Sequence, residues 1–192
     1  KRPKSPLRLL QTPGALLSVS LSGKGTLKNV IHCEIDHLFS LNNSSLSCLV
    51  YLNELLAKFL EQEDPHEEIF DQYLSVCEIL ESNSSEKVEK KLREFELILL
   101  REIGYGINLE SDSLTNEFID HEKYYSFSPS FGFKQTNSTK EIKGIDIINF
   151  SKGNFKEIST RRSAKKIMRE AIDFHLGNKN LNLRKFLIKK GG

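Results

Sequence analysis

The sequence predicts an α+β fold that is mainly α, in which a helical bundle follows a short β-region. Up to residue 31, short apolar runs are separated by turn-forming residues such as Pro13-Gly14 and Gly23-Lys24-Gly25, a pattern typical of strands joined by tight turns. From about residue 44 the apolar residues adopt the spacing of amphipathic helices. We therefore expect two regions, residues 1–31 and residues 32–192.

Three consecutive helices are predicted in the first half of the second region. The first runs from about Ser45 to Leu60, after a Ser/Asn-rich stretch that can cap it. The second takes Asp64 as its N-cap and Pro65 as its first helical residue, which suits the fixed φ angle of proline. The third begins at Glu86. Because the connections between them are short, we expect the three helices to pack as a compact bundle.

The third helix is the most regular amphipathic stretch of the chain. Phe95 and Leu99 lie on its apolar face, whereas the charged residues of the same stretch, including Arg93 and Glu96, fall mostly off that face. Gly104 can take the left-handed conformation that ends a helix, and Gly106 permits a further turn. We expect the apolar face to pack the bundle.

The second half of the chain predicts a hairpin and two more helices. Aromatic and small residues alternate over Tyr124–Phe133, which favours a β-hairpin. Its aromatic rings could stack on nucleic-acid bases, but packing against the bundle is the favoured interpretation. A short helix is predicted over Ile145–Phe150, a long one over Ser159–Leu176, and a short terminal one over Leu181–Lys190.

Charge is distributed unevenly along the 192 residues, although the formal net charge is only +2. Residues 1–30 carry 6 basic and no acidic residues, residues 61–122 carry 18 acidic against 5 basic, and residues 152–190 carry 12 basic against 3 acidic. Basic ends of this kind are expected where the termini build a surface for a polyanion, although a solvated surface with accidental charge blocks is the alternative. The densest cluster of cations is predicted along one face of the long helix: Arg161, Arg162, Lys165, Lys166 and Arg169.

Nothing in the sequence points to an enzyme. The cysteines Cys33, Cys48 and Cys77 form no C-x-x-C pair, so buried free thiols are expected, and a catalytic role for Cys33 beside His32 is disfavoured. The histidines are scattered, and no nucleotide-binding loop or paired metal-binding carboxylates stand out. No apolar run reaches the roughly 20 residues that a membrane-spanning helix needs. The initiator methionine is missing, which suggests a fragment.

Several stretches, in this order and at this spacing, are similar to those of one family, the bacterial DNA repair protein RecO family. These stretches are Gly14–Leu17, Tyr51–Leu56, Pro65-His66, Phe70–Leu74, Arg93–Gly106, Tyr125–Pro129, Ala164–Lys166 and His175–Leu181. The resemblance implies that residues 1–31 are the last strands of an OB-fold and that an N-terminal part is missing. It also implies that residues 32–192 form a helical domain with a zinc-knuckle-like insertion at 107–140.

The resemblance further implies a recombination mediator rather than a catalyst. RecO-like proteins bind single- and double-stranded DNA, anneal complementary strands, and act with RecR to load RecA onto DNA coated by single-stranded DNA-binding protein (SSB). The implied location is the bacterial cytoplasm, in association with the nucleoid and with no membrane. The alternative is a protein-interaction module that binds RecR or the SSB tail without appreciable DNA binding of its own.

The chain departs from the family pattern in the predicted knuckle. Many members place four cysteines after the Gly-Tyr-Gly turn to hold zinc, but here Asp112 and Thr115 stand at the first pair and no cysteine follows Cys77. Without thiolates a four-cysteine zinc site cannot form. We therefore expect the zinc-free branch of the family, with no metal and no cofactor, and a 107–140 region packed by its aromatic residues.

The predicted site residues fall into two groups of cations. The tail of SSB is acidic and ends in phenylalanine with a free carboxylate, so an apolar pocket rimmed by cations would suit it. Arg161, Arg162, Lys165, Lys166 and Arg169 are candidates for contacting either that tail or DNA. The DNA-binding candidates are Lys1, Arg2, Lys4, Arg8, Lys24, Lys28, Lys179, Arg184 and Lys185.

Overall fold

The computed structural model describes residues 10–25, 27–62, 64–82 and 85–177 and Leu181, with the backbone alone at residues 85 and 86. In chain order the elements of this part are β1 (Ala15–Ser22), β2 (Asn29–Leu38), α1 (Asn43–Phe59), α2 (Glu67–Glu81), α3 (Ser85–Glu102), β3 (Tyr124–Ser128), β4 (Gly132–Thr136), β5 (Ile142–Lys143), α4 (Gly144–Ser151) and α5 (Ile158–Leu176). The mixture of helices with short antiparallel sheets confirms the predicted α+β class.

The strands β1 and β2 pair with each other as an antiparallel ribbon. Ala15 lies opposite Leu38 at one end, and Ser22 lies opposite Asn29 at the other. The pairing with β1 extends over the whole of β2. Strand β2 crosses the domain boundary that was expected after residue 31 and ends at Leu38. The ribbon therefore reaches into the helical part of the chain.

The paired ends of the ribbon lie against the helices. The amide of Phe39 donates to the carbonyl of Gly14 at 2.8 Å, which closes this end of the ribbon. The amide of Ser40 donates to the carboxylate of Glu81, the last residue of α2, at 2.7 Å. These bonds set the ribbon beside the end of α2 and the start of α1.

The first helix begins as predicted, whereas the second begins later than predicted. The side chain of Asn42 accepts a hydrogen bond from the amide of Ser45 at 2.8 Å and caps α1. The N-cap of α2 is His66 rather than Asp64, and the helix starts after it. The carboxylate of Asp64 lies 3.2 Å from the His66 ring, so this residue contacts the cap residue instead of serving as the cap. Pro65 accordingly precedes the helix.

The core lies where α1, α2, α3 and α5 meet. On α3, Phe95, Leu99 and Leu100 are almost completely buried, which confirms the predicted apolar face. From the other side, α5 contributes a continuous buried stripe that includes Ile167 and Met168. Because α3 packs against both α2 and α5, it is the central helix of the domain.

The second half of the domain follows the predicted order. The strands β3 and β4 form the expected hairpin, and β5 pairs with the other edge of β3. Tyr125 and Phe133 are buried in the core, which confirms packing as their role, whereas Phe131 at the hairpin turn is exposed. The helices α4 and α5 match the predicted ones to within a residue or two. Leu181 is buried, and the rest of the predicted terminal helix lies outside the described residues.

Candidate binding cleft

A cleft of about 340 Å³ opens where the start of α1, the end of α2, the first half of α3 and the middle of α5 meet. Its apolar wall is formed by Cys48, Leu80, Val88 and Leu92, and two cationic residues, Arg93 and Lys165, lie beside that wall. Burial raises the pKa of the Cys48 thiol, and the nearby Arg93 charge opposes this shift only partly. At neutral pH Cys48 is therefore an uncharged part of the wall.

Arg93 is held by a buried polar network on α3 and α1. Its Nη1 lies 2.8 Å from Oε2 of Glu96, one helical turn further along, and Glu96 has no exposed surface. The hydroxyl of Tyr51 on α1 donates to Oε1 of the same carboxylate at 2.7 Å. The Nε of Arg93 is buried and has no hydrogen-bond partner among the described residues. A buried donor in this state is unfavourable.

The charged network on α3 departs from the sequence analysis, which placed Arg93 and Glu96 off the buried face. They are buried because α3 packs on two sides, so little of its circumference faces solvent. The spacing of the two charges does not reveal this burial, because Lys91 and Glu94 on the same helix have the same separation and are partly exposed.

The start of α1 adds to the positive character of the cleft. Asn42 and Ser44 line it beside Ser45, so the ligand space faces the N-terminal turn of the helix, where the helix dipole is positive. One acid, Glu89, also lines the cleft, and its carboxylate lies 3.9 Å from Nε of Arg161. The cleft therefore combines an apolar wall with groups that attract an anion.

The five predicted cations of α5 differ in their contacts with other residues. Arg161 turns back towards its own backbone and donates to the carbonyls of Phe155 at 2.6 Å and Lys156 at 2.7 Å. These bonds tie the start of α5 to the preceding loop. Arg161 is therefore a structural residue as well as a partner of Glu89.

Two further cations of α5 have carboxylate partners. Lys166 donates to Glu141 at 3.2 Å, and Nε of Arg169 lies 3.8 Å from Asp173, one turn along the helix. Arg162 and Lys165 are exposed, and no hydrogen bond or ion pair of their side chains involves another described residue. Of the predicted group, the structure brings only Lys165 to the cleft.

The DNA-binding candidates of the ribbon lie far from the cleft. Lys24 and Lys28 are exposed in the connection between β1 and β2, at the end of the ribbon away from the helices. The 8 residues of β1 span about 27 Å at the usual rise of a strand, which is the separation of this loop from the base of the ribbon. The remaining candidates, Lys1, Arg2, Lys4, Arg8, Lys179, Arg184 and Lys185, lie outside the described residues.

The region 107–140 is organised by the buried carboxylate of Asp112. Oδ1 of Asp112 accepts from the amides of Leu114 at 2.8 Å and Thr115 at 3.1 Å, and Oδ2 accepts from the amide of Gln135 on β4 at 2.6 Å. Burial favours the neutral acid, but these three hydrogen bonds and the charge of Lys134 together outweigh it and lower the pKa of Asp112. The region therefore relies on a hydrogen-bonded carboxylate in addition to the predicted aromatic packing.

The Asp112 network gives a pH-dependent prediction. Because the folded pKa lies below the ordinary value of 3.8, the stabilisation is present above that pH and is lost as pH falls through the folded pKa. Asp112→Asn should lower the free energy of unfolding by about 1–3 kcal/mol near neutral pH. The difference in stability between the wild-type chain and the variant should shrink below pH 3.8, the ordinary pKa of an aspartic acid. Urea titrations across this pH range measure the free energy of unfolding.

Asp120→Asn is the control, since the Asp120 carboxylate accepts a hydrogen bond from one backbone amide and is partly exposed. Equal effects from both variants would contradict the stabilising role of the Asp112 network.

A second and larger cleft, of about 430 Å³, lies at the other end of α3. Tyr105 stacks on His175 there, with ring centroids 4.0 Å apart and planes 13° apart, and burial lowers the pKa of His175. Three acids, Glu61, Asp64 and Glu102, and one lysine, Lys58, line this cleft. The excess of acids disfavours an anionic ligand, so the smaller cleft is the better candidate for one.

Within residues 10–177, apart from the undescribed positions, no three His, Cys, Asp or Glu side chains are grouped so that they could hold a metal ion. No helix among the described residues is long and apolar enough to cross a bilayer.

Comparison with known proteins places this architecture in a family. Residues 42–185 match the family model described as "Recombination protein O C terminal". The DNA repair protein RecO of Dechloromonas aromatica is 33% identical over 191 residues, which cover 96% of this chain and 78% of the relative. The DNA repair protein RecO of Methylococcus capsulatus is 35% identical over 174 residues, covering 90% and 71%. This chain therefore belongs to the RecO family of DNA repair proteins.

Proposed function

We propose that this chain acts as a recombination mediator in DNA repair and does not catalyse bond chemistry. In this role it binds single- and double-stranded DNA without sequence preference, anneals complementary strands, and helps RecR to load RecA onto SSB-coated DNA at the bacterial nucleoid. Family membership supports the general role. The observation that carries the more specific proposal is the combination of an apolar wall with Arg93 and Lys165 in one cleft.

The cleft suits the end of an acidic tail that finishes in phenylalanine. A phenyl ring would pack on Leu80, Val88 and Leu92, while the terminal carboxylate would meet Arg93 and the first turn of α1. Lys165 on the rim would attract the acidic residues that precede the phenylalanine. The SSB tail has this chemistry, so we assign the cleft to it.

DNA binding is assigned to exposed cations outside the cleft and on its rim. Arg162 and Lys165 on α5, and Lys24 and Lys28 on the ribbon loop, can contact phosphates without reading base sequence. Exposed apolar side chains on the ribbon, including Leu21, support the proposal that β1 and β2 belong to an OB-fold. The competing proposal is an interaction module that binds the tail or RecR and has no DNA surface of its own.

A charge-reversal variant tests both assignments. Arg162→Glu combined with Lys165→Glu should weaken binding of a short acidic peptide that ends in phenylalanine by about tenfold or more, because it replaces the rim cation of the cleft with an acid and adds a second acid one turn away on α5. The same variant should reduce the log–log salt slope of single-stranded DNA binding by about 1.4, since each lost phosphate contact contributes about 0.7. Fluorescence anisotropy measures the two ligands separately.

Lys140→Glu combined with Lys143→Glu is the control, since it makes the same charge change at exposed lysines away from the cleft. If the α5 variant keeps wild-type affinity for both peptide and DNA, the assigned basic face is wrong. A wild-type salt slope near zero would leave only the interaction module.

A further inference from the structure

We propose that Glu96 and Tyr51 are positioning residues that fix Arg93 so that it can pair with the carboxylate end of a bound peptide. This inference rests on the proposed function of the cleft as a site for an acidic tail. It assigns two residues, neither of which lines the cleft, to the selection of a free carboxylate.

The network restrains Arg93 from one side only. Glu96 forms an ion pair with Nη1 of Arg93 through Oε2, and its Oε1 accepts the hydroxyl proton of Tyr51, so these two contacts fix the orientation of the carboxylate. A guanidinium is a rigid planar fork, and fixing one of its nitrogens restricts the direction of the others. Arg93 lines the cleft, and its buried Nε remains a donor without a partner among the described residues.

The ion pair does not satisfy the whole guanidinium. Nε of Arg93 is buried without a hydrogen-bond partner among the described residues, which is unfavourable in a pair that serves stability alone. Because Arg93 lines the cleft, a ligand carboxylate there would accept a charge-assisted hydrogen bond from the guanidinium. Glu96 meanwhile balances the charge of Arg93 in the empty cleft, and Lys165 and the α1 dipole attract the ligand.

The test compares two forms of one synthetic peptide, acidic and ending in phenylalanine, with either a free carboxylate or a carboxamide at its end. The wild-type chain should bind the free carboxylate about tenfold more tightly, because the amide cannot make the charged contact with Arg93. Tyr51→Phe removes only the hydroxyl that holds Glu96 and should reduce this preference to about threefold. Arg93→Lys keeps the charge, loses the fork, and should reduce the preference at least as far.

Tyr73→Phe is the matched control, because it also removes a hydroxyl that is hydrogen-bonded to α1, in this case to Asn53 at 2.6 Å, and Tyr73 does not line the cleft. It should leave the carboxylate preference unchanged. A purely structural role for Tyr51 would weaken both peptides equally and leave the ratio at its wild-type value. If Tyr51→Phe and Arg93→Lys both keep the wild-type ratio of the two affinities, while the wild-type chain binds the carboxylate peptide, the inference is wrong and the proposed function stands. Failure of the wild-type chain to bind the carboxylate peptide overturns both.

Discussion

Gly144→Ala is expected to lower the free energy of unfolding by about 3 kcal/mol or more, because there is no space for a methyl group at this position. Gly144 is the buried first residue of α4, and a Cβ built there overlaps the backbone carbonyl oxygen of Asp120. It would also lie 3.2 Å from the ring of Tyr125. Neither neighbour can move easily. The hydroxyl of Tyr125 accepts from the amide of Asp120 at 2.9 Å, and the amide of Gly144 donates to the carbonyl of Lys123 at 2.8 Å.

Gly106→Ala is the control for this prediction. A Cβ at Gly106 meets Arg101 at ordinary van der Waals distances of 3.7–3.8 Å, and the backbone there is not left-handed. The control should lie within about 0.5 kcal/mol of the wild-type chain. Urea unfolding followed by circular dichroism measures both variants. A Gly144→Ala chain as stable as the control would show that the contact between α4 and the knuckle is looser than described.

Glu96→Ala is expected to lower the free energy of unfolding by about 3–5 kcal/mol, because it leaves the charge of Arg93 buried without its carboxylate. It also removes the acceptor of the Tyr51 hydroxyl. Desolvation of the remaining guanidinium is the dominant reason, since Glu96 has no exposed surface and Arg93 is only 9% exposed. Thermal and urea unfolding both report this loss.

Two comparisons identify the origin of the Glu96 effect. Glu94 on the same helix lies 3.7 Å from both Lys90 and Lys91 and is partly exposed, so Glu94→Ala should cost less than about 1 kcal/mol. Combining Arg93→Met with Glu96→Leu should restore much of the stability, because apolar residues of similar size need no charge partner. If the double variant is as unstable as Glu96→Ala, lost packing rather than the orphaned charge explains the effect.

The helices could be predicted from the sequence because their apolar spacing is regular and their ends carry local signals. The start of α2 was predicted two residues too early, because Asp64-Pro65 is a local cap signal, whereas in the structure Asp64 contacts His66 and the helix begins after His66. The burial of Arg93 and Glu96 depends on how many neighbours α3 has. The spacing of apolar residues along one helix does not show how many other elements pack against it.

For the candidate site, the sequence predicted an apolar pocket rimmed by cations and named Lys165, but it did not single out Arg93. The sequence indicates which residues are basic, whereas their partners come from distant parts of the chain. Lys166 pairs with Glu141. Arg161 donates to a backbone carbonyl, and because every residue carries one, the sequence cannot indicate which carbonyl is bound. The apolar wall of the cleft is assembled from three helices, so only the fold could bring it beside Lys165.

The central claim is that the cleft formed by α1, α2, α3 and α5 receives the end of an acidic peptide. Hydrogen–deuterium exchange of the wild-type chain, with and without a short acidic peptide ending in phenylalanine, tests this most directly. We expect slower exchange in the first turn of α1, at 43–46, and at 88–93 of α3, with no change in the β3–β4 hairpin. Protection confined to the Tyr105–His175 cleft or to the ribbon, with none at α1 and α3, would contradict the claim.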